Sequence, residues 1–371
     1  MTGTELGAKI KDPTLRRIAE KVQQGIPVDR ADARYMLVTN DILDLGTIAH
    51  YQRTRLHGDV AFYSVNMNLN YTNICELRCP LCAYSRDAGD RDSFLLSLDQ
   101  IEEKVRTAVQ SGIDEIHIVG GLHPQLKIGY FEDMIRRIKR IKPDIFVVAF
   151  TAVEYDYFAK LNNLPIEEVF RRLIDAGVNS LPGGGAEIFS PSVREIIAPK
   201  KISGKRWLEI MRIAHGMGLK TNATMLYNHR ETADDIVDHL FQIRDLQDET
   251  GGFKTLVPLP FHPENTKIEA RRSVSTGYDD VRIYATGRIV LHNVPHLKAL
   301  WMYLGDKMAQ VMLRFGVDEL GGTYSDEKVV HAAGARTPDV GSEAFLIRLI
   351  QGARLTPRRT TAGYAGTGAA R

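Results

Sequence analysis

Strand-like and helix-like patterns of apolar residues alternate along most of the chain. From Val65 onward, short apolar runs typical of buried strands are separated by amphipathic stretches with a helical period. The strand-like runs are VNMNLNYT (65–72), EIHIVGG (115–121), IFVVAFT (145–151), VNSLPGG (178–184), LKTNATML (219–226), TLVPLP (255–260) and HLKALWM (296–302). Six or more strand–helix units without an antiparallel interruption predict an α/β fold, with a parallel sheet closed or nearly closed into a barrel.

The two ends of the chain depart from this alternation. Residues 12–57 predict helices, the first of which begins with Asp12 as its cap and Pro13 at the next position. We therefore expect an N-terminal helical extension over residues 1–60, and a barrel with its closing segment over residues 61–340. Residues 341–371 predict one short helix followed by a disordered tail rich in Gly, Ala, Thr and Arg.

Composition and charge narrow the class of protein. The 371 residues are 44% hydrophobic and 25% charged, with a formal net charge of +2, so neither nucleic acid nor an anionic membrane is expected as a partner. No apolar run is long enough for a membrane span, and the first residues lack the apolar core of a secretory signal. The crowding of the 3 cysteines argues against a disulfide framework. These features predict a cytoplasmic enzyme.

All three cysteines follow the first barrel strand in a C-x3-C-x2-C arrangement, as Cys75, Cys79 and Cys82. A structural zinc site needs four ligands, and the candidate histidines His57 and His117 belong to unrelated elements. Buried structural cysteines would not normally crowd a polar loop. An iron–sulfur cluster held by three cysteines would leave one iron without a protein ligand and open to a small molecule. The cluster is therefore the chemically informative hypothesis.

Three asparagines alternate with apolar residues along the same strand. Asn66, Asn68 and Asn70 would point into the barrel if the residues between them pack outward against helices. Buried amides are costly unless they are hydrogen-bonded, so a bound polar ligand or water would have to satisfy them. We expect this face to be a wall of the substrate cavity. The alternative is a buried ladder of asparagines satisfied by neighbouring strands.

The cysteine motif at the end of a first barrel strand resembles the radical SAM superfamily. The resemblance implies a partial or near-closed TIM barrel whose Cys75, Cys79 and Cys82 ligate a [4Fe–4S] cluster. It also implies that the open iron binds S-adenosylmethionine, which is cleaved to methionine and a 5′-deoxyadenosyl radical. The residue before the third cysteine is often aromatic in the superfamily. Here that residue is Leu81, and Tyr84 is expected to take its place.

Further stretches are similar to the menaquinone-linked branch of the superfamily, the futalosine pathway. They are GGLHP (120–124), FTAVEY (150–155), LPGGGAEIFSP (181–191), ATMLYNHRET (223–232), QDETGGF (247–253) and PLPFHPENT (258–266). Within the branch, these stretches most resemble the aminofutalosine (aminodeoxyfutalosine) synthases, from about residue 12 to about residue 340. The dehypoxanthine futalosine cyclases remain the alternative, although His262 in FHP favours the synthases. Asn228 stands where the branch usually has glycine, a change that a left-handed backbone tolerates.

The resemblance implies a particular reaction and particular partners. S-adenosylmethionine would be consumed as a co-substrate with 3-[(1-carboxyvinyl)oxy]benzoate, giving 6-amino-6-deoxyfutalosine and methionine after aryl migration and loss of a carboxylate. A low-potential electron donor, flavodoxin or ferredoxin, would dock near the cysteine loop. A non-catalytic iron–sulfur carrier is a weaker alternative, since such a carrier has no need of a barrel of this size.

Site residues follow from the motifs and from their places after strand ends. The expected cofactor-binding residues are Tyr84, Gly120, Gly121, Glu154, Gly184 and Glu187. The candidate catalytic residues are His262, His123 and His331, with His229 on the same rim. Because the substrate carries two carboxylates, the candidate substrate-binding residues beside the asparagines are Arg78, Arg230 and Arg336.

Overall fold

A computed structural model describes residues 6–269, 275–324, 328–338 and 340–364 of the chain. Its strands are β1 (Val60–Ser64), β2 (Asn66–Leu69), β3 (Glu115–Ile118), β4 (Phe146–Ala149), β5 (Ser180–Leu181), β6 (Lys220–Tyr227), β7 (Phe253–Pro260), β8 (His296–Leu297), β9 (Glu319–Gly322) and β10 (Thr356–Arg359). Its helices are α1 (Leu6–Lys9), α2 (Pro13–Gln24), α3 (Arg30–Val38), α4 (Ile42–His57), α5 (Leu98–Gln110), α6 (Ile128–Ile141), α7 (Ala152–Asn162), α8 (Ile166–Ala176), α9 (Pro191–Ile197), α10 (Gly204–Gly216), α11 (Ala233–Thr250), α12 (Gly277–Val290), α13 (Trp301–Leu304), α14 (Asp306–Met312), α15 (Val329–Ala332) and α16 (Glu343–Gly352).

The main sheet contains seven strands in the order β2-β3-β4-β5-β6-β7-β8, and all neighbouring pairs are parallel. Helices connect the successive strands and cover the outer face, where Met67, Ile116 and Leu256 belong to the buried core. Parallel strands joined by covering helices are the arrangement that the alternating pattern predicts, so the predicted partial barrel is confirmed.

A second sheet extends the barrel wall. It contains three parallel strands in the order β10-β1-β9, and a single bridge between Lys298 and Glu319 connects the end of β8 to β9. Since β1 runs directly into β2, the two sheets together nearly close the barrel. The sequence pattern does not predict β1, β9 or β10.

The C-terminal segment corrects the expectation of a disordered tail. After the predicted short helix, found as α16, strand β10 pairs with β1. The Ala362 N–H then donates to the carboxylate of Glu115, and the Tyr364 hydroxyl donates to Glu319. The Tyr364 ring also stacks on His296 with 3.6 Å between centroids. The expectation is wrong for residues 356–364 because buried partners in the barrel fix them, and residues 365–371 lie outside the described part.

Four helices, α1 to α4, precede the first strand of the barrel. Asp12 caps α2 by accepting the Leu15 N–H at 2.7 Å, and Gly25 ends it with a left-handed φ of 71°. Helix α4 packs against α12, where the ring of Phe315 lies 2.3 Å from the place of a Cβ on Gly46. Among the helices that the structure describes, none combines the length and the apolarity needed to cross a bilayer.

Candidate functional site: two adjoining cavities at the barrel mouth

The three cysteines line one cleft at the carboxyl ends of the first strands. The cleft has a volume of about 200 Å³. Cys79 is buried, and Cys75 and Cys82 are half-buried. Predicted cofactor-binding residues that line the same cleft are Tyr84, Gly120, Gly121 and Glu154. The structure therefore brings together the predicted metal ligands and most of the predicted cofactor set.

Backbone hydrogen bonds hold the cysteine loop in place. The Cys75 N–H donates to Arg86 O at 3.0 Å, and the Cys82 N–H donates to Cys79 O at 2.9 Å. Arg78 has a left-handed φ of 45°, and its guanidinium donates back to the Ser85 carbonyl. The loop is thus a tight turn that presents its thiols on one side.

The two glycines after β3 are required by packing within the chain. A Cβ on Gly120 would lie 2.6 Å from the ring of Tyr71, and one on Gly121 would lie 2.2 Å from the carbonyl oxygen of Ile74. Ile74 directly precedes the first cysteine. The glycine turn therefore allows the cysteine loop to approach β3 closely, while both glycines still border the cleft.

Glu154 lies at the start of α7 and holds the glycine turn. Its carboxylate accepts the Tyr71 hydroxyl at 2.9 Å and the Gly120 N–H at 3.2 Å. It also accepts the Thr151 N–H at 2.7 Å in a reciprocal capping box. Burial raises the pKa of Glu154 to about 7, and these hydrogen bonds oppose the shift. Glu154 is thus a candidate cofactor contact and also a structural carboxylate.

Glu187 pairs with a residue that the sequence interpretation missed. Lys201 lies 2.5 Å from the Glu187 carboxylate and lines the cysteine cleft, whereas Glu187 is not among the lining residues. Burial alone would raise the pKa of Glu187, but Lys201 lowers it overall. Burial raises the pKa of Cys79 to about 11, and the Lys201 charge opposes that shift. Because Lys201 follows α9 in an ordinary polar loop, no sequence motif marks it as part of the site.

The GGG turn after β5 is also shaped by neighbouring side chains. Gly184 faces the Thr151 methyl, and Gly185 borders the cysteine cleft. The buried guanidinium of Arg194 donates to Ala186 O at 2.6 Å and to Ile188 O at 3.2 Å, which fixes the segment after the turn. The turn and the segment after it are therefore closely packed within the chain.

A second cavity occupies the barrel lumen and adjoins the cleft, since Val119 and Thr151 line both. Its volume is about 220 Å³. Its apolar walls come from Val119, Val257, Leu259, Leu300 and Met302. Its polar side chains are Asn68, His117, Thr151, Asn222, Thr224, Lys298, Tyr303 and Tyr324.

Of the three asparagines, Asn68 alone is among the residues that line this cavity. Asn66 lies nearer the amino end of β2 and accepts the Tyr324 N–H at 3.0 Å. Asn70 lies beyond the end of β2 and donates to Val119 O at 3.1 Å. Both therefore support the wall through contacts within the chain.

The histidines of the rim lie beside the two cavities rather than in them. His123 accepts the Gln125 N–H at 3.2 Å in its own loop. His229 lies on the far side of β6, where its ring nitrogen contacts Leu226 O at 3.0 Å. His262 contacts the backbone oxygen of Tyr303, whose side chain lines the lumen cavity. His331 contacts Thr337 O at 3.1 Å.

The three arginines are likewise outside both cavities. Arg78 pairs with Asp87 at 3.4 Å within the charged segment after the cysteines. Arg230 lies 3.7 Å from Glu269, and the side chain of Arg336 is 90% exposed. Lysines supply the cationic groups at the cavities instead: Lys201 in the cleft and Lys298 in the lumen. The sequence analysis predicts neither residue as part of a site.

The donor set of the cleft fits an iron–sulfur cluster better than zinc. Three soft thiol ligands share one cleft. Their sulfur atoms do not form a set within 4.8 Å of one another among the described residues, whereas three thiolates on a single zinc ion would. The histidine set aside at the sequence level, His57, instead groups with His296 and Asp318. A cluster held by the three thiols would leave one iron without a protein ligand.

Comparisons with known proteins agree with this arrangement. A profile of the radical SAM superfamily matches residues 69–243, and a profile of the CofH/MqnC C-terminal region matches residues 250–365. The chain belongs to the radical SAM superfamily. Its C-terminal match places it beside the enzymes of the futalosine pathway, as its motifs indicate.

Individual relatives refine the comparison. An aminodeoxyfutalosine synthase of Thermus thermophilus is 39% identical, with 96% of both chains covered. A 5-amino-6-(D-ribitylamino)uracil–L-tyrosine 4-hydroxyphenyl transferase of Methanopyrus kandleri is 37% identical over 85% of this chain and 87% of its own. The crystal structure of methylornithine synthase (PylB) superposes with a TM-score of 0.74 at 15% identity, over 95% of this chain and 100% of that one, and so supports the fold alone. The chain is thus a radical SAM enzyme of the alkyl or aryl transfer class.

Proposed function

We propose that this enzyme is an aminodeoxyfutalosine synthase acting on 3-[(1-carboxyvinyl)oxy]benzoate. The net reaction joins the adenosyl group to the vinyl carbon, moves the aryl group from oxygen to carbon, and releases a carboxylate and methionine. The observation that carries the proposal is the pair of adjoining cavities, one beside the thiols and one with apolar walls and a polar inner end. A flat aromatic acid suits the second cavity and would reach the first with its vinyl group.

The residues that line the two cavities would have different roles. Cys75, Cys79 and Cys82 would hold the [4Fe–4S] cluster, which with S-adenosylmethionine supplies the 5′-deoxyadenosyl radical. Gly120, Gly121, Glu154 and Tyr84 border the space for the methionyl and nucleoside groups, and the Glu154 carboxylate keeps the turn rigid.

In the lumen, the protein positions the substrate and excludes water. The apolar walls formed by Val257, Leu259 and Met302 protect a reactive organic radical from solvent. Asn68 offers an amide to the substrate. The candidate role of His262 is indirect, because it holds the backbone of Tyr303, whose side chain lines the cavity. The radical chemistry belongs to the cofactor, and the protein contributes binding and orientation.

The experiment that tests the proposal is anaerobic turnover with product analysis by mass spectrometry. The reconstituted enzyme is incubated with dithionite, S-adenosylmethionine and 3-[(1-carboxyvinyl)oxy]benzoate. We expect an adduct of the adenosyl and aryl groups that has lost one carboxylate, and no adduct from Cys79→Ala. Free 5′-deoxyadenosine without an adduct would refute the assignment.

Parallel incubations separate the alternatives. Dehypoxanthine futalosine tests for the cyclase, the other enzyme of the same branch. A mixture of L-tyrosine and 5-amino-6-(D-ribitylamino)uracil tests for the reaction named for the Methanopyrus relative. Turnover of either, without turnover of the benzoate ether, would replace the proposed function with that activity.

The partner and the location form part of the proposal. A flavodoxin or ferredoxin of the cytoplasm would supply the electron near the cysteine loop. Part of the charged segment after the cysteines pairs within itself, as Arg86 does with Asp92 at 2.8 Å. A pull-down with purified flavodoxin, followed by reduction without dithionite, tests this part separately.

A further inference from the structure

A bulge in strand β7 turns a lysine toward the inside of the barrel. The pairing of β6 with β7 shifts between Thr221 and Asn222, whose partners are Phe253 and Thr255, so Lys254 is an extra residue in β7. Phe253 packs outward in the core, and the ammonium of Lys254 lies 2.5 Å from the Asn222 side-chain oxygen. Bulges often redirect a side chain beside an active site.

Lys254 is a buried cation without a carboxylate partner among the described residues. It is 6% exposed, and no described carboxylate lies within ion-pair distance of it. The two nearest buried acids already have partners: Glu115 lies 2.6 Å from His117, and Glu319 lies 2.7 Å from Lys298. Burial, followed by the nearby charge of Lys298, lowers the pKa of Lys254 to about 7. Such a cation is costly unless an anion approaches.

The contact with Lys254 also orients the Asn222 amide relative to the lumen. In its protonated form Lys254 can only donate, and it donates to the amide oxygen of Asn222. The Asn222 side chain lines the lumen cavity, as does Lys298. The amide NH2 of Asn222 and the ammonium of Lys298 are therefore the donors available to a ligand there.

These donors lie at the inner end of the cavity. In β6, Asn222 precedes the cavity residue Thr224 by two positions, and Lys298 directly follows β8 and precedes the cavity residue Leu300 by two positions. Residues two apart share one face of a strand, so the donors lie nearer the amino ends of the strands. Val119 and Thr151, which border the cysteine cleft, lie at the carboxyl ends of β3 and β4.

We propose that the inner end of the lumen cavity binds the ring carboxylate of an aromatic acid, with Asn222 and Lys298 as donors and Lys254 as the residue that positions Asn222. The inference rests on the function proposed above, because the vinyl group must face the cleft and the ring carboxylate then points inward. The carboxylate would accept from the Asn222 amide and the Lys298 ammonium, and its negative charge would lie on the cavity side of the Lys254–Asn222 contact.

The experiment compares two ligands on the reconstituted enzyme by anaerobic calorimetry. One is 3-[(1-carboxyvinyl)oxy]benzoate, and the other is 2-phenoxyacrylate, which lacks the ring carboxylate. For Lys254→Met we expect a Kd for the benzoate raised about ten- to hundredfold, and an unchanged Kd for 2-phenoxyacrylate. Lys220→Met, at the exposed start of β6, is the matched control and should leave both unchanged.

A second variant distinguishes loss of the subsite from a folding defect. Asn222→Asp keeps the size of the side chain and pairs with Lys254, but its carboxylate would repel the ring carboxylate. We expect it to weaken binding of the benzoate far more than binding of 2-phenoxyacrylate. Equal losses for both ligands, or none, in both variants would overturn the subsite while leaving turnover by the wild type intact. A wild-type enzyme that does not convert the benzoate overturns the proposed function and this subsite with it.

Discussion

At the scale of single residues, Lys201 connects the cysteine cleft to the turn after β5. Its side chain is 18% exposed and that of its partner Glu187 is 12% exposed, so water screens the pair only partly. Burial alone would lower the pKa of Lys201, and the Glu187 charge raises it overall. The pair thus keeps one positive group beside Cys79 and Cys82.

Replacing Lys201 should destabilise the protein, because the Glu187 carboxylate loses its cation. We expect Lys201→Met to lower the free energy of unfolding by about 2 kcal/mol, because Glu187 is left largely buried without its cation. Adding Glu187→Gln should restore most of the loss. Urea denaturation of the cluster-free protein measures both variants. Lys142→Met removes a surface pair with the exposed Asp144 and should change stability by less than about 0.5 kcal/mol. A loss in the double variant as large as in the single one would contradict the pairing.

Glu154 should make stability depend on pH. Burial raises the pKa of Glu154 from its ordinary value of 4.5 to about 7. Between pH 4.5 and pH 7, the folded state therefore keeps a proton that the unfolded state has lost. This contribution therefore weakens the fold as the pH rises from about 4.5 to about 7. Relative to the wild type, Glu154→Gln should gain about 2 kcal/mol between pH 5 and pH 7.5 in urea titrations. The exposed Glu167→Gln should follow the wild type, and parallel curves for all three proteins would contradict the shift.

The sequence predicts some site residues better than others for a physical reason. Cysteine chemistry has few alternatives, so the spacing of Cys75, Cys79 and Cys82 predicts a metal-binding loop. The arginines are predicted only from their location in the chain, which does not fix where a long side chain points. Strand alternation likewise identifies the face on which Asn66 and Asn68 lie, but not their depth in the lumen.

At the scale of elements, the site depends on how closely the cysteine loop approaches β3. Gly121 faces the Ile74 carbonyl, a backbone atom that cannot rotate away. The Gly121 N–H also donates to Thr72 O at 2.9 Å, which ties the two segments together. A side chain at this position would therefore have to move the loop that carries the thiols.

Gly121→Ala should displace that loop. We expect less iron bound after reconstitution, by at least half, and a protein less stable by about 1–3 kcal/mol, because the added Cβ overpacks the contact. Gly129 in α6 has no atom within 4 Å of the place of its Cβ. Gly129→Ala should therefore bind iron normally and be slightly more stable, since alanine favours helices. Equal iron content in the two variants would contradict the argument.

The sequence predicts those strands whose own pattern of apolar and polar residues is distinctive. Strands β2 to β8 are buried by helices on one face and by the lumen on the other, so their residues are conspicuously apolar or alternate. Strand β9 contains two glycines, and β10 reads TPRR, with one exposed residue before its proline and two after it. Such strands are specified by their partners in the second sheet, which a local pattern does not contain.

At the scale of the whole molecule, the C-terminal segment closes the amino end of the barrel. The Tyr364 hydroxyl donates to Glu319, whose other oxygen pairs with Lys298 at the inner end of the lumen cavity. Through Glu319, Tyr364 thus supports the Lys298 ammonium, which lines the cavity. The barrel end and the proposed substrate site belong to one hydrogen-bonded network.

Tyr364→Phe tests the strength of this closure. The change leaves a buried carboxylate oxygen of Glu319 without its donor, so we expect a loss of about 1–3 kcal/mol in urea denaturation. Tyr278→Phe removes the same hydroxyl from a residue that is 53% exposed and should change stability by less than about 0.5 kcal/mol. Identical unfolding curves for the two variants would show that the Tyr364 hydroxyl does not stabilise the barrel end.

The pairing of β1 with β9 and β10 has a consequence for synthesis on the ribosome. Val60 pairs with Thr356, so β1 leaves the exit tunnel long before either neighbour has been translated. Until then its apolar residues form an unprotected edge to which another nascent chain can add a strand. Contacts this distant in sequence also slow folding. We therefore expect recombinant yield to depend on chaperone supply and growth temperature, even though the finished barrel is well packed.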